Sequence, residues 1–182
     1  MATELRLIAG LCLVIASYLL GQSLARRILT RLEDLYSFAH ALTILSTEIG
    51  YSATPLPEAL RRAGRTVGGH ACEVFQAVSQ HLEQTTGAWA QATDATVERA
   101  WAQALEHGET RLGIPPEDLT FVAELGSTLG RSDRQDQVAQ LGRASRQLDS
   151  LARRLAPECE KNARLSRTLG LLGGLAAAIL VL

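Results

Sequence analysis

The side chains able to do chemistry are few and scattered. Cys12, Cys72 and Cys159 lie far apart, and His40, His70, His81 and His107 are spread in the same way. The one close pair, His70-x-Cys72, matches no zinc-ligand pattern. An odd number of separated cysteines makes no disulfide framework either, so the three read as reduced, space-filling residues. No glycine-rich loop leading to Lys and Ser/Thr is present to cradle a phosphate, and neither a His-Glu-x-x-His nor a nucleophile-elbow glycine pattern occurs. The carboxylates Glu33-Asp34 and Glu117-Asp118 are adjacent, and adjacent residues on a helix point apart instead of flanking a substrate. These patterns predict no enzyme, no cofactor, no metal ion and no small-molecule substrate.

The composition points to a fold class. It has 182 residues, room for one domain plus membrane segments. Alanine, leucine, arginine, glutamate and glutamine dominate while aromatic residues are scarce, a bias toward helix throughout. The 18 basic and 19 acidic side chains nearly cancel, leaving no global field to gather nucleic acid.

Both ends are apolar. Residues 7–25, LIAGLCLVIASYLLGQSLA, carry no charge and approach the roughly 20 residues that cross a bilayer. Arg26 and Arg27 stop the run. A cleaved signal peptide is the alternative, with Ser23-Leu24-Ala25 as its small-x-small site, but the apolar stretch exceeds the usual h-region and arginines follow the cut, which favours an uncleaved anchor. Residues 169–182, LGLLGGLAAAILVL, are shorter, and a tilted helix with Arg164 and Arg167 snorkelling fits them to a membrane. Small residues recur every fourth position, as Ser17, Gly21 and Ala25 and again as Gly170, Gly174 and Ala178; such stripes let helices approach in lipid, whether as a pair within the chain or in self-association. Arg26, Arg27 and Arg31 follow the first run and Lys161, Arg164 and Arg167 precede the second, so the positive-inside rule predicts a cytoplasmic middle. The expected organisation is a tail over 1–6, a transmembrane helix over 7–25, a cytoplasmic helical bundle over 26–168 and a transmembrane helix over 169–182.

Within the middle, Ile28, Leu32, Leu35, Ala39, Leu42, Leu45 and Ile49 mark one apolar face, with Arg31, Glu33, Asp34, His40 and Glu48 opposite, and Gly50 ends the helix. Thr54 then caps a short helix with Pro55 at its first position, running to about Arg65. A loop over 66–70 precedes helices over 71–84 and 93–107, the latter burying Val97, Ala100, Trp101 and Ala104. Trp89 and Trp101 read as packing anchors. Prolines, then Glu117 and Asp118, open another helix that ends at Gly130. Its interior Gly126 costs about 1 kcal/mol relative to alanine, so it should admit another backbone. Ser132-x-x-Gln135 forms a capping box for the last helix, whose seam is Val138, Leu141, Ser145, Leu148, Ala152, Leu155 and Cys159, and Pro157 should kink it. The expected fold is all-α: an antiparallel helical bundle flanked by N- and C-terminal transmembrane helices.

Three motifs in order, Glu48-Ile49-x-Tyr51-x-x-Thr54-Pro55-Leu56-x-Glu58-Ala59, then Leu125-Gly126-Ser127-Thr128-Leu129-Gly130-x-Ser132-Asp133-x-x-x-Gln137, then Leu169-Gly170-x-Leu172-Gly173-Gly174, resemble the stage III sporulation protein AB family nearly end to end. The resemblance implies a component of the channel complex between mother cell and forespore. It also implies a helical domain similar to the cytoplasmic domain of the type II secretion inner-membrane platform protein, docking a sporulation AA ATPase-like subunit and other channel subunits at the mother-cell membrane. Glu48, Tyr51, Thr54, Pro55, Glu58, Gly126, Gly130, Asp133 and Gln137 are the candidate partner-binding residues. The same residues have structural readings, since Thr54 and Pro55 suit a cap, the glycines suit close packing, and Asp133 suits the first turn of a helix. Glu48, Glu58, Asp133 and Gln137 are the strongest candidates for direct contact, being polar where the apolar stripe does not need them. A helical sensor between two spans is the rival reading, and it needs the middle outside the cell.

Overall fold

Helix-forming composition and three- and four-residue apolar spacing produce helices throughout the described residues of the computed structural model, which are 2–52, 54–86, 94–112, 122–127, 129 and 133–181. In chain order they are α1 (Ala2–Tyr51), α2 (Leu56–Val67), α3 (Gly69–Thr86), α4 (Asp94–Leu112), a segment α5 described over 122–127, and α6 (Arg134–Val181). Two compact units result, one from Met1–Leu32 with Arg153–Leu182 and the other from Glu33–Ala152.

The first unit is an antiparallel helix pair. Both helices are long and apolar enough to cross a membrane. Their small-residue stripes face each other: a Cβ on Gly21 would sit 2.6 Å from Ser166 O and 3.1 Å from Gly170 Cα, and one on Gly170 would sit 2.8 Å from Ser17 O. Contacts that short leave no room for any side chain, so glycine is what allows the two backbones to touch. Further along, a Cβ on Gly174 would meet Val14 Cα at 3.0 Å and one on Gly10 would meet Ala178 Cβ at 3.6 Å. Ser17 Oγ donates to Gly170 O at 2.7 Å, a polar clasp between helices that otherwise present leucine and isoleucine outward. A surface this apolar fits hydrocarbon, where only closed backbone hydrogen bonding is tolerated and helices provide it.

The second unit is the bundle. Leu35, Phe38, Leu42 and Leu45 of α1, Leu60 of α2, Phe75, Val78 and Leu82 of α3, Trp101 of α4 and Leu141 and Leu148 of α6 are buried. Phe38, Phe75 and Trp101 form an edge-to-face series, with ring centroids 5.2 and 5.6 Å apart. Each such pair adds about 0.5–1.5 kcal/mol beyond area burial. The seam between α1 and α6 is partly polar: Ser145 Oγ donates to Ala39 O at 2.9 Å and lies 2.8 Å from Thr43 Oγ1.

Several expectations are corrected. The loop over 66–70 shrinks to Gly68, because Gly68 (φ 69°) and Gly69 (φ 62°) take left-handed conformations that reverse the chain in almost no length. Pro55, not Thr54, occupies the N-cap of α2, with no side-chain cap, and its carbonyl accepts from Ala59 N at 3.0 Å. Asp34, expected on the polar face, is buried. Gly126 admits not a backbone but the indole of Trp101. Asp133 precedes α6 instead of lying in its first turn. Trp89, Glu117, Asp118, Gly130 and Ser132 lie outside the described residues.

Candidate functional site

The site grows out of the turn that joins α1 to α2. Glu48 lies in the last turn of α1 and Glu58 in the first turn of α2, where an anion is favoured by the helix dipole. Thr54, freed from capping, donates its hydroxyl to Glu48 Oε2 at 3.0 Å. Arg62 bridges the two glutamates, with Nη1 3.3 Å from Glu48 Oε2 and Nε 3.0 Å from Glu58 Oε1. Arg61 pairs with Glu58 as well and reaches α3, with Nη1 3.1 Å from Glu83 Oε1. Ser79 Oγ donates to Pro57 O at 2.8 Å and fixes the start of α2 on α3. The spacing of Glu58, Arg61 and Arg62 is the i, i+3 and i, i+4 geometry in which helix side chains meet. In solvent such pairs contribute about 0.2–1 kcal/mol each, so the network shapes a charged surface more than it holds the fold.

Tyr51 stands 89% exposed beside this network, and Pro55 is exposed too. The start of α6 comes to the same end of the bundle, since a Cβ on Gly50 would lie 3.4 Å from Val138 Cγ2. There Asp133 Oδ1 accepts from Arg134 N at 2.8 Å and Asp133 O accepts from Gln137 N at 3.0 Å, with the Asp133 side chain exposed. Glu48, Tyr51, Thr54, Pro55, Glu58, Asp133 and Gln137 therefore cluster at one end, although two motifs far apart in sequence supply them. Gly126 is separate from them, buried in the core beneath Trp101.

Sequence reasoning missed Arg61, Arg62 and Glu83, which complete the network. Their signal was the helical spacing from Glu58. It also missed the pair of Asp34 and His70. Asp34 is 4% exposed, and His70 Nδ1 lies 3.1 and 3.2 Å from its two oxygens, so a proton on Nδ1 is donated to the carboxylate. Burial pushes the Asp34 carboxyl above its ordinary 3.8, and the bond from His70 pulls the other way. Among the described residues no group of three His, Cys, Asp or Glu side chains is placed to hold a metal ion.

Known proteins supply the context for this geometry. The profile of the family described as stage III sporulation protein AB matches residues 6–182. Stage III sporulation protein AB of Bacillus subtilis (strain 168) is 24% identical over 178 residues, covering 98% of this chain and 99% of that protein. A solved structure of a stage III sporulation protein AB superposes with a TM-score of 0.58 at 23% identity, over 74% of this chain and 96% of that one, which shows a shared fold. With the family profile spanning almost every residue, the chain belongs to the stage III sporulation protein AB family.

Proposed function

We propose that this protein is a non-enzymatic membrane scaffold of the channel between mother cell and forespore, whose bundle sits in the mother-cell cytoplasm and docks an AA-type ATPase subunit to the membrane. The observation that carries the reading is the convergence of the 48–58 and 133–137 segments on one end of the bundle, where Tyr51, Pro55 and Asp133 are exposed and Glu48, Glu58 and Arg62 form an ion-pair network. Such a surface suits a protein partner: an aromatic anchor supplies contact area, and a ring of charges fixes orientation and excludes wrong partners. The family relationship supports the sporulation context, while the ATPase partner is an analogy, resting on the similarity to secretion platform proteins that the sequence resemblance implies.

Photo-crosslinking amino acids at Tyr51 and Asp133 in sporulating cells test it. Recovery of an ATPase subunit from both positions supports docking, and a complete absence of protein adducts at both overturns it. Reporter fusions at position 90 test the side: cytoplasmic activity is expected, and activity only on the far side contradicts the placement.

A further inference from the structure

Where the apolar surface of the helix pair ends, cations gather. The facing of Gly21 with Gly170 and Ser166 sets an antiparallel register. About one and a half turns past Gly21, that register brings Arg26 and Arg27 level with the stretch from Lys161 to Arg164, and Arg167 lies about one turn nearer the apolar run. All five side chains are exposed. Among the described residues none of the five is ion-paired. The carboxylates nearest in sequence, Glu158 and Glu160, lie on the far side of Lys161 from the apolar segment. Immediately on the other side, Leu20, Leu24, Leu169 and Leu172 are exposed.

That order fixes the depth of the cations. The exposed leucines of both helices suit hydrocarbon, so the charges that border them stand at headgroup depth, which Arg164 and Arg167 reach by snorkelling. Hydroxyls at the same level are satisfied internally: Thr30 donates to Arg26 O, Ser166 to Asn162 O and Thr168 to Arg164 O. The charged heads are thus the groups left to meet a ligand. Guanidinium groups fit phosphate oxygens bidentately, and the summed positive field favours a headgroup of net negative charge over one whose ammonium cancels its phosphate.

We propose that Arg26, Arg27, Lys161, Arg164 and Arg167 form a collar that binds the headgroups of anionic phospholipids, giving the protein a preference for anionic over zwitterionic lipid. The inference stands independently of which protein the bundle docks.

Native mass spectrometry of the full-length protein, released from micelles holding equimolar phosphatidylglycerol and phosphatidylcholine, reads the preference directly. The wild type should retain phosphatidylglycerol in excess by about tenfold or more, as several surface cations acting together imply. The variant with all five residues changed to Gln should retain the two lipids nearly equally. R164Q/R167Q, a smaller surface change that keeps the protein foldable, should lie between, and a variant with the four arginines changed to Lys should keep most of the excess. Equal retention by the wild type, or an undiminished excess in the fivefold variant, overturns the proposal. Millimolar inorganic phosphate should leave the ratio unchanged. Abolition of the excess by phosphate would assign the cations to a free anion and overturn the lipid reading.

Discussion

Trp101 occupies the space that a side chain at Gly126 would need: a Cβ there would lie 2.8 Å from the indole Cδ1 and 2.9 Å from Trp101 Cβ. The ring is also tied down, because its Nε1 donates to Val122 O at 2.8 Å one turn earlier in α5. Helix and indole are thus locked together by one contact and one hydrogen bond.

Gly126→Ala should therefore destabilise the protein, because the ring cannot move without breaking its bond to Val122. Overpacking of this kind costs about 1–3 kcal/mol, which outweighs the roughly 1 kcal/mol that alanine gains in helix propensity. Urea denaturation followed by Trp fluorescence of the detergent-solubilised protein should show a lower midpoint, and an equal or higher one refutes the packing argument.

The membrane pair makes a second demand. Replacing Gly170 by Leu places a side chain where Ser17 O and Gly21 Cα already stand, so the helices must separate. Cysteines introduced at Gly10 and Ala178 should form a disulfide in the parent and fail to do so when Gly170→Leu is added. Ser17→Ala should be milder, about 0.6 kcal/mol, the typical worth of an interhelical bond in lipid. Efficient crosslinking in the leucine variant contradicts the close approach.

Acid titration isolates Asp34. Because burial raises its folded-state value above 3.8, the folded protein binds a proton that the unfolded chain has released. The contribution of this group to stability is therefore greatest at low pH, declines as pH rises from 3.8 through the raised value, and is level above it. Asp34→Asn removes that slope, so its stability relative to wild type should increase across this window as pH rises. Parallel stability curves for the two proteins contradict the assignment.

Tyr51 separates docking from folding. Tyr51 is the last residue of α1, but its side chain is exposed, and an exposed side chain outside the core usually changes stability by less than about 0.5 kcal/mol, so Tyr51→Ala should leave the denaturation midpoint in place. Its effect belongs to the partner, and capture of an ATPase through a crosslinker at Asp133 should fall at least several-fold. Unchanged capture removes Tyr51 from the interface.

Much of this was legible in residue types. Leu35, Leu42 and Leu45 announced the buried face of α1 by spacing, and Gly21 and Gly170 announced a helix pair by recurring every fourth position with their neighbours. Asp34 escaped because a charged residue was assigned outward by its chemistry. Its spacing to Phe38, Ala41 and Leu45, all buried, follows the same helical step as the apolar stripe. Thr54 was a plausible cap, but Pro55 takes the position and leaves the hydroxyl to Glu48, a partner six residues away that local rules do not name. The role of Gly126 was half visible: glycine in a helix means close approach, but whether a backbone or a ring approaches depends on α4, which sequence alone does not align with α5.

The bond from Ser17 to Gly170 joins residues 153 positions apart, and that from Ser145 to Ala39 joins residues 106 apart. During synthesis the hairpin of α2 and α3 can form as it emerges from the ribosome, whereas both of these closures must wait for most of the chain. At about 5–20 residues per second, the first apolar segment is therefore complete on the order of ten seconds before the helix that packs against it at Gly170 has been made.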